Sequence, residues 1–271
     1  MNIGTQRSPA ATVDRAIDVL ELLRDADGPL GVRDVARRLG ISSATSHRLL
    51  TSLRLRGLVT QVDGSRAYTL GWALLDFAAA VLRRIDLPTV AAPIARQLRD
   101  VSGETVTIQV PVGNDRVCVF ELEGTHEVRR RVGLGRRVPL HAGASGRAIL
   151  AFMTASDIEQ VLDAVGTQAL TDRTVVERST IEATLEQTRD EGVARGLGET
   201  VDEVASVAAP VFAPGGTVVG SIAISGPSGR WTQASIRQHT PALLAGAAEI
   251  SRRLGYAGGP DAVPTAAGGR R

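Results

Sequence analysis

The sequence predicts an α+β protein: a helix-turn-helix with a two-stranded wing at the N-terminus, then a linker helix and a larger antiparallel sheet with helices. Three observations predict it. Residues 31–70 read as helix, tight turn, helix and ribbon. From Leu87 onward the strands come in hairpins with helices gathered between them, the pattern of an antiparallel rather than a parallel sheet. The length of 271 residues is enough for two separate cores.

The elements follow in order. Met1–Ala11 reads as a loose arm. Thr12 can cap a helix from Val13 to Ala26 that buries Val13, Ala16, Ile17, Leu20 and Leu23, and Gly28-Pro29 breaks it. The helix Val32–Leu39 carries Val32, Val35, Ala36 and Leu39 on one face. Gly40 ends it as a residue free to take positive φ. Ser42 then stands at an N-cap, where its hydroxyl can accept a free backbone N–H. The next helix, Ser43–Arg56, buries Leu49, Leu50 and Leu53, stops at Gly57, and shows Ser43, Ala44, Thr45, His47 and Arg48 on its other face. Leu58–Val62 and Arg66–Leu70 alternate with period 2 around Asp63-Gly64-Ser65.

A second helix presented in this way fits a DNA major groove. The candidate DNA-facing residues are Arg33, Ser42, Ser43, Ala44, Thr45, His47 and Arg48, with Arg66 on the wing. The alternative is a structural helical hairpin with an appended ribbon; the wing and the short polar residues on the helix favour DNA.

Residues 71–86 form a linker helix whose stripe of Leu74, Leu75, Ala78, Val81 and Leu82 is either a dimer seam or a face packed on its own domains. The second domain spans 87–254. It begins with a helix at Thr89–Val101 and strands at Thr105–Val110, Arg116–Leu122 and Glu127–Val132. Helices follow at Ser145–Met153, Ser156–Ala164 and Thr180–Ala194. A hairpin, Val204–Phe212 with Val218–Ser225, leads to a closing helix at Gln233–Leu254. Residues 255–271, rich in Gly, Pro and Ala, read as a disordered tail.

Composition narrows the function classes. All 31 basic residues are arginine and the net charge is only +2. Arginine can hold a carboxylate, a phosphate or a guanine edge with two bonds. Residues 1–75 hold ten arginines against seven acids. That excess alone gives weak, salt-sensitive DNA binding, so specific contacts and dimerisation must supply the rest. Cys118 is the single cysteine, which excludes an internal disulfide and a multi-cysteine metal site. No metal or cofactor is expected. No apolar run reaches membrane-spanning length, and Met1–Ala11 has no apolar core of a signal peptide, so the expectation is a cytoplasmic protein without membrane contact.

The second domain offers little catalytic chemistry. No metal-protease, P-loop or dinucleotide motif is present. Gly143-Ala144-Ser145-Gly146-Arg147 departs from the nucleophile elbow, which needs glycine where Arg147 stands. A Ser145-dependent hydrolase or isomerase, with the N-terminal module serving assembly, is the rival reading. Ser145 reads more simply as a helix N-cap. That helix start also has the features of an anion site, because Gly143 and Gly146 admit close approach and the free N–H groups favour a carboxylate. Arg129 and Arg131 fall on one strand face and Arg130 on the other. They either join that anion or form a solvated face. Ser206, Ala223 and Ser225 give the later hairpin a small, hydroxyl-bearing face, open to a ligand or lightly packed.

Several of these segments together resemble the IclR family of bacterial transcription regulators from about Thr12 to Leu254. They are Ser43–Leu53 with Gly57-Leu58-Val59, Pro139–Ala151, Ala208–Phe212, Gly216–Gly220 and Ile224–Pro227. The resemblance implies a winged helix on DNA, a linker helix and a GAF-like effector domain. It also implies homodimers that can pair into dimers of dimers, and small organic acids or aromatic catabolites as effectors. By the same resemblance Ala144 and Ser145 lie in the pocket loop, Ser206, Ala223 and Ser225 on the sheet, and Gly196 and Glu199 on the strand before it. Together with Gly146, Arg129 and Arg131 these are the candidate effector residues. Two positions depart from the family pattern. Gly31 replaces a capping Ser or Thr, and Glu203 replaces a glycine near the pocket edge. The expected function is repression at a palindromic operator on double-stranded DNA, controlled by a small-molecule effector.

Overall fold

The computed structural model describes residues 10–82, 87–165 and 169–258, without the side chains at 78, 79, 81, 82, 165 and 233. The arm at 1–9, most of the tail (259–271) and the side chain of Ala78 in the expected seam therefore lie outside the described residues. The chain divides into two compact units, residues 1–84 and 85–271.

The first unit contains α1 (Ala11–Arg24), β1 (Leu30–Gly31), α2 (Val32–Leu39), α3 (Ser43–Leu55), β2 (Val59–Gln61), β3 (Ala67–Leu70) and α4 (Ala73–Leu82). Gly40 closes α2 at φ 64°, and the Ser42 hydroxyl accepts the Thr45 N–H at 3.1 Å. The wing gains a third strand: β1 pairs with β3 through Leu30 and Tyr68, giving the order β1-β3-β2. Gly31 is extended (φ −77°, ψ 162°), so one backbone geometry serves both the end of β1 and the N-cap of α2. Glycine thus fills the cap without a side-chain acceptor.

The core of this unit is Val19, Leu23, Val35, Leu49, Leu50, Leu53, Val59 and Tyr68. The buried stripe of α1 is therefore rotated from the expected one: Val13 and Ile17 are exposed, and Ala16 and Leu20 only pack against the edge of the core. Helix α1 also starts at Ala11, capped by Ala10 without a side-chain bond, so Thr12 is an internal residue. Gly71 anchors the start of α4, because a Cβ there would lie 2.1 Å from the Gly57 carbonyl oxygen, and its N–H donates to Leu58 O at 2.8 Å.

The second unit contains α5 (Leu87–Ser102), β4 (Thr105–Val112), β5 (Asp115–Leu122), β6 (Arg137–Pro139), α6 (Gly143–Leu150), α7 (Ala155–Val165), α8 (Arg178–Glu191), β7 (Ala194–Leu197), β8 (Val204–Phe212), β9 (Val218–Pro227) and α9 (Gln233–Arg253). Its six strands form one antiparallel sheet in the order β6-β5-β4-β9-β8-β7. Alternation along each strand separates two kinds of surface. Val106, Ile108, Val207, Ile222 and Ile224 pack with Ile94 and Leu98 of α5 and Leu243 and Ile250 of α9 in one aliphatic core. The residues of opposite parity are small or polar: Thr107, Gln109, Ser206, Ala208, Ala223 and Ser225. Against them lies α6, through Ala144 and Ala148.

Two expectations fail here. The strand expected at Glu127–Val132 is irregular chain, and the strand beside β5 is Arg137–Pro139. Side chains, not a ladder, satisfy that backbone. Thr105 Oγ1 donates to Arg130 O at 2.5 Å, Arg230 Nη2 donates to Val128 O at 2.8 Å, and the Glu121 carboxylate accepts the N–H groups of Val132 (2.5 Å) and Gly133 (2.8 Å). The helix expected from Ser145 begins at Gly143 instead, with Ala142 at its N-cap, so Ser145 is no cap. In the tail, the Tyr256 ring packs 5.3 Å from Phe212.

Candidate functional site

In the first unit, Ser43, Ala44, His47 and Arg48 are exposed, as are Arg33 and Arg66. Positions 43, 44, 47 and 48 share one side of α3 by helical spacing. Ser42 and Thr45 are instead occupied in the cap, their hydroxyls 2.9 Å apart. Behind this face, the wholly buried Ser46 donates from Oγ to Val32 O at 3.0 Å. That bond ties the two helices of the motif together, and the hydrophobic pattern alone gave no sign of it. Among the described residues no carboxylate forms an ion pair with Arg33, Arg48 or Arg66, whereas Arg37 is engaged by Asp34.

The second unit holds a cavity of about 40 Å³ between the polar sheet face, the start of α6 and the irregular chain before β6. Thr107, Gln109, Arg116, Ser206, Ala223 and Ser225 line it from the sheet, Gly143, Ala144 and Ser145 from α6, and Arg130, Val132 and Arg136 from the irregular chain. Of the expected residues, the structure thus brings Ala144, Ser145, Ser206, Ala223 and Ser225 together. Gly146, Gly196 and Glu199 stand behind the wall. A Cβ on Gly146 would sit 2.1 Å from Leu140 O, and one on Gly196 would sit 2.9 Å from Ala144 N, so both glycines serve close packing of α6.

Arg129 and Arg131 do not reach the cavity. Both bind Glu123, at 2.7 and 2.6 Å, and their hydrogen bonds hold its carboxyl below the usual range. Their neighbours Arg130 and Arg136 line the cavity instead. Strand alternation could not assign these side chains, because the segment is not a strand.

Arg116 is the residue sequence reasoning missed. It is 4% exposed. Its Nε donates to Gln109 Oε1 at 2.5 Å, and its Nη1 donates to Ala142 O at 2.5 Å and Pro139 O at 2.9 Å. All these acceptors are neutral. Burial pushes its pKa down to about 9, nearby Arg147 and Arg136 push the same way, and Glu199 opposes them. The guanidinium therefore stays charged at neutral pH. Burial also lowers Arg130, with Arg136 adding to the effect and Glu121 opposing it. A signal for Arg116 was available: it shares strand parity with buried Cys118, opposite Val117 and Val119. Burial, with Glu121 beside it, pushes the Cys118 thiol up to about 12, so it is no nucleophile.

The α6 N-terminus already has an anion. Glu199 Oε2 accepts the Gly143 N–H at 3.2 Å, and both Glu199 oxygens engage the Arg147 guanidinium. Arg147, the residue that breaks the nucleophile-elbow pattern, is the buried partner of this carboxylate. Glu203 has φ 58°, a left-handed conformation, which gives a physical reason for the glycine expected there. Its side chain is exposed and outside the cavity wall. Among the described residues no group of three His, Cys, Asp or Glu side chains is placed to hold a metal ion, and no helix is long and apolar enough to cross a membrane.

Comparison with known proteins agrees with both units. Residues 12–63 match the IclR helix-turn-helix domain, and residues 79–252 match the bacterial transcriptional regulator IclR C-terminal domain. The HTH-type transcriptional repressor AllR of Escherichia coli is 31% identical over 251 residues, covering 93% of each chain. The HTH-type transcriptional regulator BhcR of Paracoccus denitrificans is 31% identical over 240 residues, covering 88% of this chain and 85% of its own. The crystal structure of the Thermotoga maritima IclR superposes with a TM-score of 0.77 at 27% identity, over 91% of this chain and 99% of that one. An IclR homologue from Microbacterium hydrocarbonoxydans, complexed with 4-hydroxybenzoate, shares the fold at a TM-score of 0.76 and 21% identity, over 90% and 98% of the two chains. The two domain matches fall on the helix-turn-helix and on the sheet domain, and the chain belongs to the IclR family of bacterial transcriptional regulators.

Proposed function

We propose that this chain is a cytoplasmic, non-enzymatic repressor whose affinity for a palindromic operator is set by a small acidic metabolite in the second unit. Residues 12–70 read DNA, 71–86 link, and 87–254 sense the effector. Arg48, Arg33 and Arg66 contact phosphates or base edges, and Ser43, Ala44 and His47 fit the groove floor. The observation that carries the effector reading is Arg116, a buried cation in a cavity wall whose hydrogen-bond acceptors are all neutral. Burying a charge without a counter-charge is costly, and a carboxylate ligand removes that cost.

Homodimers, or dimers of dimers, follow from the palindromic site and from the apolar surface of the linker. Leu75, on the expected stripe, is 59% exposed, and a partner helix on that stripe would bury it. The relative AllR carries the name repressor, and a fold relative is complexed with 4-hydroxybenzoate, in keeping with repression controlled by an acid.

The test is fluorescence anisotropy of the purified protein on a labelled palindromic fragment from beside its own gene, with and without a panel of carboxylic acids. The proposal expects salt-dependent binding that one acid shifts at least tenfold. An effect of that size needs a difference of about 1.4 kcal/mol in the acid's affinity for the two states. Operator binding untouched by every acid rejects the effector role. Acid or ester turnover lost on Ser145→Ala rejects the non-enzymatic one.

A further inference from the structure

We propose that the cavity is built for a short aliphatic dicarboxylate, one carboxylate held inside by Arg116 and the other, further out, by Arg130 and Arg136. This rests on the effector reading above and names its ligand class.

The first observation is a charge count. Arg116, Arg130 and Arg136 all line the cavity, no acidic side chain lines it, and among the described residues none of the three forms an ion pair. Arg147, the fourth arginine nearby, is matched by Glu199. A monocarboxylate would answer one of three unmatched cations. A second acidic group brings the site much closer to balance, and each guanidinium can hold a carboxylate through two parallel bonds.

The second observation is how the charge is spread. Arg116 is buried, Arg130 half-buried and Arg136 exposed. The positive charge therefore extends from the interior towards solvent rather than converging on one point. Two carboxylates separated by a short chain fit that spread better than a single phosphate, whose oxygens surround one atom. Burial and neighbouring arginines lower the affinity of Arg116 and Arg130 for their protons and outweigh Glu199 and Glu121, which act the other way.

The third observation is an orphan. Ser225 Oγ lines the cavity, is buried and has no hydrogen-bond partner. Such a hydroxyl can donate to a ligand oxygen and loses free energy while unpaired. The fourth is size. The cavity offers about 40 Å³, space for a few waters, so only a small ligand fits it. No aromatic side chain lines the wall to stack a ring. The ligand is therefore a slim, short-chain acid.

The experiment is isothermal titration of the full chain with succinate, butyrate and inorganic phosphate at one fixed ionic strength. Wild type should bind succinate at least tenfold more tightly than butyrate, and both more tightly than phosphate. Arg116 supports the carbonyls of Pro139 and Ala142, so its loss risks the fold; Arg136 is exposed and is the safer variant. Arg136→Gln should weaken succinate at least fivefold, leave butyrate within twofold, and so erase most of the preference. Equal wild-type affinity for the two acids overturns the proposal. So does binding of phosphate alone, binding of none of the three, or a preference that survives Arg136→Gln unchanged. Operator anisotropy run in parallel separates the two claims. Succinate that binds with the stated preference but leaves operator affinity unchanged supports the ligand class and rejects the effector role.

Discussion

Arg147 and Glu199 form a buried, two-pronged ion pair between helix α6 and the chain after β7, with side chains 5% and 9% exposed. One Glu199 oxygen accepts from Arg147 Nη2 at 2.6 Å; the other is shared between Nη1 and the Gly143 N–H. Arg147 Nη2 also donates to Arg195 O, and Thr174 Oγ1 donates to Glu199 O at 2.7 Å. The pair thus pins the start of α6, and with it one cavity wall. Removing one member leaves a buried charge unmatched, so Glu199→Ala should destabilise the second unit by about 3–5 kcal/mol in urea denaturation. The double variant Arg147→Met, Glu199→Leu should recover most of that loss. A double variant no better than the worse single would show that the bonds to Gly143 and Arg195, not the charge pair, dominate.

Gly146 tests how closely α6 must approach. A methyl group there meets Leu140 O and Arg116 Nη1 at once, at 2.1 and 2.6 Å. Gly146→Ala should therefore lower stability by about 1–3 kcal/mol despite alanine's better helix propensity, because neither neighbour can move freely. A thermal melt that rises on this substitution would mean that α6 sits further from the sheet.

Glu203 carries backbone strain with no compensating contact at the cavity. Its φ of 58° is unfavourable for a residue with a Cβ, and its carbonyl accepts the Ser228 N–H at 2.7 Å, which holds the turn. Glu203→Gly should stabilise by about 0.5–1 kcal/mol, part of the relief being offset by glycine's larger entropy in the unfolded chain. Glu203→Ala should gain nothing. Equal effects of the two would point to the lost charge rather than to the backbone.

The acid limb of stability should involve Glu177. It caps α8, accepting the N–H groups of Ser179 at 3.1 Å and Thr180 at 2.7 Å. Hydrogen bonds from Ser179 and Thr180 lower its carboxyl from 4.5 to about 2 in the folded protein. A carboxyl depressed on folding contributes stability above its unfolded value and loses it as pH falls through the folded one. The contribution of this cap is therefore complete above pH 4.5 and fades between 4.5 and about 2. Melting temperatures of Glu177→Gln should sit below wild type at neutral pH and converge with it across that window. A constant gap down to pH 2 would exclude titration of the cap.

The DNA-facing helix separates contact from support. Arg48 is exposed, so Arg48→Ala should leave the melting temperature unchanged and weaken operator binding by about 1–3 kcal/mol if the side chain reads a base. Loss of a phosphate contact would instead reduce the salt dependence of binding. Ser46→Ala removes the bond to Val32 O and should cost about 1 kcal/mol of stability in the first unit. Wild-type affinity of Arg48→Ala at every salt concentration would take that residue out of the interface.

The features legible in the sequence are those written within a few residues. Gly40 and Ser42 mark the turn of the helix pair, because a left-handed C-terminus and an N-cap are local demands on one backbone position each. The hairpin of β8 and β9 is equally local, since period-2 alternation and a Pro-Gly-Gly turn define it. The resemblance to the family assigned Ala144, Ser145, Ser206, Ala223 and Ser225 to one pocket, and the structure brings them together, whereas their small size and parity alone left a lightly packed surface equally open.

Tertiary structure alone decided the rest. The third wing strand exists only because β3 offers a free edge to Leu30 and Gly31. The irregular chain before β6 takes its shape from nearby Glu121 and from Thr105 and Arg230, which lie 25 and 102 residues from the groups they bind, and it swaps the roles of adjacent arginines: Arg129 and Arg131 go to Glu123, Arg130 to the cavity. The anion expected at the α6 N-terminus turned out to be Glu199, 52 residues beyond Arg147. Hydrophobic period and capping are read one element at a time, whereas the partner of a buried charge is set by which distant strands meet. The residue types and their parities are in the sequence; the choice of Glu199 for Arg147, and of neutral acceptors for Arg116, is made only when the sheet closes around them.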